Sequence, residues 1–547
     1  MCGICGVIDK NRINPTILLN MAASLKHRGP DSVNIQIVDN VGLGHARLRI
    51  LDLSESANQP MSNEDDSIWL VYNGEYYTFR EYREVLLNKG HKFKSNTDSE
   101  VILHLYEEYG MDFVSCLRGM FAIAILDLRK DKLILLRDRV GIKPLFYYHD
   151  GSKFLFASEI KAIMQYPGII RNMDLESLRT YFSLGYIPGE NSIYDKIKKL
   201  PPAHVLTFHE HNVEIKRYWS LPDTIIFKEE NSAREELESL LLESVKMQMI
   251  SDVPLGVLLS GGLDSSLVAS IMASQSDRPI KTFSISFNEE KYNEIEHARN
   301  VARHIQSEHF EYKVDLEKSE IIEDLVYYYD EPFADSSAIP TYYVSKLAKK
   351  EVTVVLSGDG GDELFAGYNW YDWMLKYAAF NRIPQNVRRL LSDMPNSIPL
   401  HFKGKHFMGV LKLEEFDTFF ERTSLFSNSE LKLLLKNECS GNFYQQYKSN
   451  YYNSGDSLLK RLTRTDFSYY LPDDVLTKVD RASMANSLEA RVPLLDHKIC
   501  EFAFSLCDSL KIKDIQRKYL LKQVARKWLP PDFNFTRKQG FSIPQSE

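Results

Sequence analysis

The chain has 547 residues, 44% hydrophobic and 26% charged, the balance of a globular protein too long for one ordinary core. A formal net charge of −8 supplies no field for gripping a phosphate backbone, and clusters such as Lys196, Lys198 and Lys199 are short, so no nucleic-acid partner is expected. The longest apolar runs, such as Met120 to Leu126, are too short to cross a bilayer, so no membrane partner is expected either.

Polar and small residues (Gly3, Asp9, Lys10, Asn11) follow the start at once, unlike a signal peptide, and six scattered cysteines make no disulfide scaffold; a cytoplasmic protein is expected. Cys2 and Cys5 form a lone Cys-x-x-Cys, a weak pointer to zinc or redox chemistry. Alternating runs at Val33–Val38, Ile68–Tyr72, Phe121–Asp127 and Leu133–Arg137 predict a β-rich first domain with a few helices. Leu200-Pro201-Pro202-Ala203, a last strand and Leu221-Pro222-Asp223 set the expected division, 1–222 and 223–547. Helical spacing then appears over Glu235–Ile250, through Leu237, Leu240, Leu241 and Val245. Two strand–glycine loop–helix units, Leu255–Ala273 and Val352–Tyr368, predict an α/β domain with a parallel sheet and ligands at the C-terminal ends of its strands. The remainder reads as mainly helical.

Cys2 becomes the N-terminal residue if Met1 is removed, and such a cysteine carries nucleophile and base together: the thiol attacks and the α-amine takes its proton. Gly44-His45-Ala46-Arg47-Leu48-Arg49-Ile50-Leu51-Asp52, Tyr72-Asn73-Gly74-Glu75 and Thr97-Asp98-Ser99-Glu100 supply what a free amino acid needs. Arg47 can fork onto an α-carboxylate, and Glu75 and Asp98 can pair with an α-ammonium. The Asn73 side chain and the Gly74 N–H can form an oxyanion hole, with glycine expected so that the backbone can approach substrate.

These motifs, with Arg28-Gly29-Pro30-Asp31 and Arg137-Asp138-Arg139-Val140-Gly141-Ile142-Lys143-Pro144-Leu145, resemble a class II glutamine amidotransferase domain. The resemblance implies an N-terminal-nucleophile (Ntn) hydrolase αββα sandwich in which Cys2 hydrolyses glutamine through a γ-glutamyl thioester. It also implies that Arg47, Leu48, Arg49, Ile50, Leu51, Asn73, Gly74, Glu75 and Asp98 hold the glutamine.

Ser260-Gly261-Gly262-Leu263-Asp264-Ser265-Ser266 joins an apolar strand to a helix without a Walker lysine. Its backbone N–H groups and hydroxyls make an anion cradle, and Asp264 inside it makes sense if it holds Mg²⁺. The second loop, Ser357-Gly358-Asp359-Gly360-Gly361-Asp362, is acidic, which suits a metal role for Asp362. Ser-Gly-Gly-x-Asp-Ser resembles the loop of ATP pyrophosphatases. With Leu471-Pro472-Asp473-Asp474, Lys478-Val479-Asp480-Arg481, Leu488–Asp496 and Arg537-Lys538-Gln539-Gly540-Phe541, it makes nearly the whole chain resemble glutamine-hydrolysing asparagine synthetases. The resemblance implies an ATP-pyrophosphatase domain in which Leu259 and Ile285 meet adenine and Ser357 and Gly358 the nucleotide. Asp359 then serves the acyl-adenylate, and a catalytic cation falls at Lys478 or Arg481. The substrates it implies are glutamine, ATP with Mg²⁺, and a carboxylate acceptor, aspartate by default; a homodimer is left open.

The chain departs from that family at Arg49, Thr78, Asn293 and Asp359, the last standing where Glu is frequent. The first two bear on glutamine affinity and the last two on the acceptor, so amidation of another carboxylate, such as a uronic-acid sugar, is the rival reading. An inactive glutamine- or nucleotide-sensing protein is the remote one. The end at Ile543–Glu547 follows soon after a motif that usually continues, which suggests truncation.

Overall fold

A computed structural model describes residues 1–286, 295–314, 321–380, 383–397, 411, 413–426, 428–435, 442–452 and 456–537. Asn293, Lys538 to Phe541 and Ile543 to Glu547, singled out in the sequence, lie outside the described residues.

The first half supplies β1 (Gly3–Asp9), β2 (Ser32–Val38), β3 (Val41–Arg47), β4 (Met61–Ser62), β5 (Ile68–Tyr76) and β6 (Gly119–Asp127). It continues with β7 (Lys132–Arg137), β8 (Phe146–His149), β9 (Lys153–Ala157), β10 (Ile197–Lys199), β11 (His204–His209) and β12 (Asn212–Arg217). These form two six-stranded sheets, ordered β10-β8-β9-β1-β3-β2 and β12-β11-β7-β6-β5-β4. Every pairing in them is antiparallel, as short strands alternating between two buried faces allow. Ile4, Leu43 and Phe156 of one sheet pack against Val71, Ala124, Leu135 and Phe208 of the other.

Helices cover both outer faces: α1 (Pro15–Ala23), α2 (Phe79–Asn88), α3 (Asp98–Tyr109) and α4 (Ile160–Met164). Leu18 and Met21 of α1 and Ile163 of α4 pack on the first sheet, while Leu86 of α2 and Ile102 and Leu105 of α3 pack on the second. The result is the αββα sandwich of an Ntn hydrolase. Local signals place the helix starts: Asn14 caps α1 ahead of Pro15, and the Thr97 hydroxyl caps α3 by accepting from Glu100 N–H.

After α5 (Leu175–Leu184) and α6 (Glu230–Gln248), a third sheet is parallel throughout, ordered β15-β14-β13-β16-β17. Its strands are β13 (Leu255–Leu258), β14 (Lys281–Ser286), β15 (Glu308–Lys313), β16 (Val354–Leu356) and β17 (Glu489–Arg491). β13 leads into α7 (Leu263–Ser274), and β16 into the short helix Gly361–Phe365. Helices dominate beyond, and Asp466–Val475 is a π-helix containing Pro472, a wide turn that tolerates a residue without an N–H donor. Among the described residues no helix is long and apolar enough to cross a membrane.

Candidate active sites

Cys2 directly precedes β1, and its N–H donates to Asn73 Oδ1 on β5, in the facing sheet, at 3.0 Å. The other half of that amide, Asn73 Nδ2, is buried without a hydrogen-bond partner. A buried donor left unpaired costs about 1–3 kcal/mol, so an acceptor brought by a ligand would be favourable here. Burial pushes the Cys2 thiol up, while the terminal ammonium, the Leu48 backbone and Arg47 pull it down.

Beside Asn73 stand three buried carboxylates. Glu75 Oε1 lies 3.4 Å from Arg491, and its Oε2 has no hydrogen-bond partner. Burial, then the neighbouring Glu489, raise its pKa well above the carboxylate range. Asp98 Oδ2 accepts from Tyr72 Oη (3.0 Å) and Tyr76 N (2.8 Å), and burial pushes its pKa up to about 6. The Met1 ammonium sits 2.7 Å from Glu489 Oε2, so this interior already accommodates one ammonium.

Two of the expected glutamine-binding residues make contacts within the fold. A Cβ on Gly74 would stand 2.1 Å from the Met120 carbonyl and 2.8 Å from Phe121 Cα, so the neighbouring strand β6 demands the glycine, whereas substrate approach was the expected reason. Arg47 spends its guanidinium on the Ser54 (2.7 Å), Leu51 (3.4 Å) and Asp52 carbonyls and Asn58 Oδ1 (2.9 Å), fastening the loop that holds Leu48, Ile50 and Leu51. In that loop the Arg49 N–H donates to Asp31 (2.8 Å), and Thr78 sits before α2 without a side-chain cap.

In the second half, the loop after β13 is tied by Ser260 Oγ, which meets Ser265 Oγ at 2.9 Å and accepts from Gly262 N at 3.2 Å. Gly261 has φ +78°, and a Cβ there would meet Ala298 N at 2.6 Å. Leu259 N donates to Phe283 O at 2.9 Å, and Ile285 lies near the end of β14. Ser357 Oγ donates to Asp359 (2.7 Å), and a Cβ on Gly358 would meet Ser265 N at 2.4 Å. The two loops therefore cross in contact at the C-terminal edge of the sheet, bringing together Leu259, Ser260 to Ser266, Ile285, Ser357 and Gly358.

Asp264 and Asp362 converge on Lys518, which pairs with both, at 2.8 Å for Asp362. Burial opposes the ammonium's charge, but the two carboxylates outweigh it and raise its pKa. Lys518 was missed in the sequence: it lies 254 residues from Asp264, in no recognisable motif. Two hard oxygen ligands turned toward one cation are a donor set that suits Mg²⁺. Burial raises the Asp359 pKa, with Lys478 opposing. The two candidate cations separate: Lys478 Nζ meets Asp335 (2.9 Å), whereas Arg481 turns to Glu159 of the first half (2.6 Å).

The helix Leu476–Met484 carries both cations and also links the two sites. Arg28, fully buried, holds its Asp480 at 2.8 and 3.0 Å, Glu159 at 2.8 Å, and the Cys2 carbonyl at 3.1 Å. Arg137, Ile142 and Phe146 from one half and Asp473, Thr477 and Arg481 from the other line a cavity here.

Residues 1–219 match the model of the glutamine amidotransferase domain family, and residues 236–547 that of asparagine synthase. The chain is 35% identical over 555 residues to "Asparagine synthetase [glutamine-hydrolyzing] 1" of Bacillus subtilis, covering 100% of this chain and 87% of that protein. It is 38% identical over 523 residues to "Putative asparagine synthetase [glutamine-hydrolyzing] 2" of Methanocaldococcus jannaschii, covering 88% of this chain and 98% of that one.

Proposed function

Since the chain belongs to the asparagine synthase family, with an N-terminal glutamine amidotransferase domain, we propose that it transfers the amide nitrogen of glutamine to aspartate, yielding asparagine, glutamate, AMP and pyrophosphate. It is a carbon–nitrogen ligase of the glutamine-hydrolysing asparagine synthase type and uses ATP. The division between the two heads is placed at residue 222.

Once Met1 is removed, the Cys2 amine takes the thiol proton and the sulfur attacks the glutamine carboxamide carbon. Ammonia leaves with that proton, and water hydrolyses the γ-glutamyl thioester to glutamate. Asn73 Nδ2 and Gly74 N–H meet the oxyanion, the unpartnered Nδ2 being the observation that carries this reading. Asp98 is the carboxylate that pairs with the α-ammonium, the open Oε2 of Glu75 accepts a hydrogen bond from it, and the Arg47 loop borders the α-carboxylate.

At the other head the acceptor carboxylate attacks the α-phosphorus of ATP and expels pyrophosphate, the ribose and phosphates lying over the crossed loops. Asp264 and Asp362 would hold Mg²⁺, which supplies charge neutralisation for the phosphates; Lys518 keeps the two carboxylates together. Ammonia, arriving along the helix Leu476–Met484, attacks the acyl-adenylate and AMP leaves. Lys478 rather than Arg481 is assigned the catalytic cation, because it faces Asp335 and the Asp359 loop.

The test is incubation with ATP, Mg²⁺ and glutamine against a panel of carboxylic acids, reading AMP, pyrophosphate and amide. Aspartate-dependent AMP with one asparagine per pyrophosphate is expected; aspartate-dependent ADP, or no response to aspartate, overturns it. Asp359, one methylene shorter than the Glu frequent in the family, favours a second reading in which the acceptor is another carboxylate, such as a uronic acid, and the same panel would reveal it.

A further inference from the structure

Outside both sites, the turn after β4, the turn after α2, and α3 bring two imidazoles and two carboxylates together. Glu64, His91, His104 and Glu107 each offer one ligand atom, and these atoms lie within 4.8 Å of one another. His91 Nδ1 stands 3.7 Å from a Glu64 oxygen and 3.7 Å from Glu107 Oε2, and His104 Nδ1 stands 3.7 and 3.4 Å from the same two groups. A tetrahedral zinc ion with bonds of about 2.0–2.1 Å requires ligand–ligand edges of roughly 3.3–3.4 Å; the four ring-to-carboxylate edges need at most a few tenths of an ångström of contraction, and the other two edges, within the 4.8 Å span, close by side-chain rotation.

Of the four ring-to-carboxylate approaches only His104 Nδ1 with Glu107 Oε2, at 3.4 Å, is a hydrogen bond, so an ion between them would supply bonds that the side chains do not make with one another. An outer ring of carboxylates surrounds the four groups. The second nitrogen of each ring faces a further carboxylate: His91 Nε2 lies 3.4 Å from Glu108 Oε2, and His104 Nε2, buried and without a hydrogen-bond partner, lies 3.9 Å from Glu100 Oε1. Metal-bound imidazoles are oriented by such a second hydrogen bond, which His91 makes with Glu108. The carboxylates are steadied too, Glu107 Oε1 accepting from Asn63 Nδ2 at 2.9 Å and Glu64 Oε1 from Lys92 N at 3.0 Å.

We propose that Glu64, His91, His104 and Glu107 form a closed, structural binding site for a divalent cation of the zinc class. Four protein ligands leave no open position, so the ion takes no part in the chemistry. It pins α3, whose first residue is Asp98, to the turns beside it.

The test uses the full-length, tag-free chain, stripped with chelator and dialysed against Zn²⁺ alone. The parent should retain one more equivalent of zinc than His91→Ala, whose affinity at this site should fall about 100-fold or more. Cobalt(II) should give the intense visible absorption of a tetrahedral ion in the parent alone, and zinc should raise the Tm of the parent alone. Glu64→Gln, at an exposed position, repeats the comparison should His91→Ala fold poorly. Differences from the parent cancel zinc held by Cys2 or by Asp264 and Asp362. Equal zinc content and equal Tm response in the parent and the variants overturn the proposal.

Discussion

Cys2 and Asn73 share one hydrogen bond across the two sheets, yet they would fail differently. Cys2→Ala deletes the sulfur and should abolish glutamine-dependent synthesis, while ammonium salt at high pH still supports amide formation. Asn73→Ala keeps the nucleophile but loses an oxyanion donor, and should cost roughly 10²–10³ in glutaminase kcat. Separate assays with glutamine and with ammonium decide; full glutamine-dependent activity in Cys2→Ala would sink the mechanism. Asp98 adds a pH dependence. Its pKa, pushed up to about 6 by burial, leaves it neutral below that pH, where it cannot pair with an α-ammonium. kcat/KM for glutamine should therefore fall as pH drops through about 6, and Asp98→Asn should lose that limb. For stability the sign reverses. A carboxyl whose folded pKa lies above its unfolded 3.8 favours the fold at low pH, and that contribution is lost as pH rises through about 6.

At the scale of elements, β2, β6 and β7 begin and end within two residues of the alternating runs that predict them. β5 extends further than its alternation suggests, because Asn73, Gly74 and Glu75 interrupt the pattern while remaining in register with Ala122, Phe121 and Met120. Polar residues displayed from a strand leave no periodic trace. The crossing of the two glycine loops is likewise a matter of space. Gly358→Ala would place a methyl 2.4 Å from Ser265 N and 2.8 Å from Asp264 C, against backbone that cannot turn aside. The expected result is a loss of about 1–3 kcal/mol in stability and a marked drop in pyrophosphate release, with glutamine hydrolysis retained. A variant with parental Tm and pyrophosphate rate would show that the loops can separate freely.

Across the whole molecule the two heads are joined by buried ion pairs, among them Arg28 with Asp480 and Arg118 with Asp496. Arg118 touches neither site, which makes it the cleaner probe of coupling. It grips Asp496 at 2.8 and 3.0 Å, and Arg118→Ala strands a buried carboxylate at a cost of about 3–5 kcal/mol. A lowered Tm is expected, with glutamate formation outrunning AMP formation as ammonia escapes between the heads; ammonium-driven synthesis should persist. A one-to-one ratio of glutamate to AMP in that variant would mean that the interface does not confine ammonia.

The family and the two kinds of sheet were legible in the chain itself, because each leaves a local mark. A cysteine at position 2, glycine-serine loops between a strand and a helix, and period-two alternation all act over a few residues. Lys518 between Asp264 and Asp362, the parting of Lys478 from Arg481, and the grip of Arg28 on both Cys2 and Asp480 were decided only by the tertiary structure. These are charges that must find partners once they are taken out of water, and the partners they find lie 254 residues away for Lys518 and 452 for Arg28. No periodicity joins such positions; only the folded interior, where an unpaired charge is costly, brings them together.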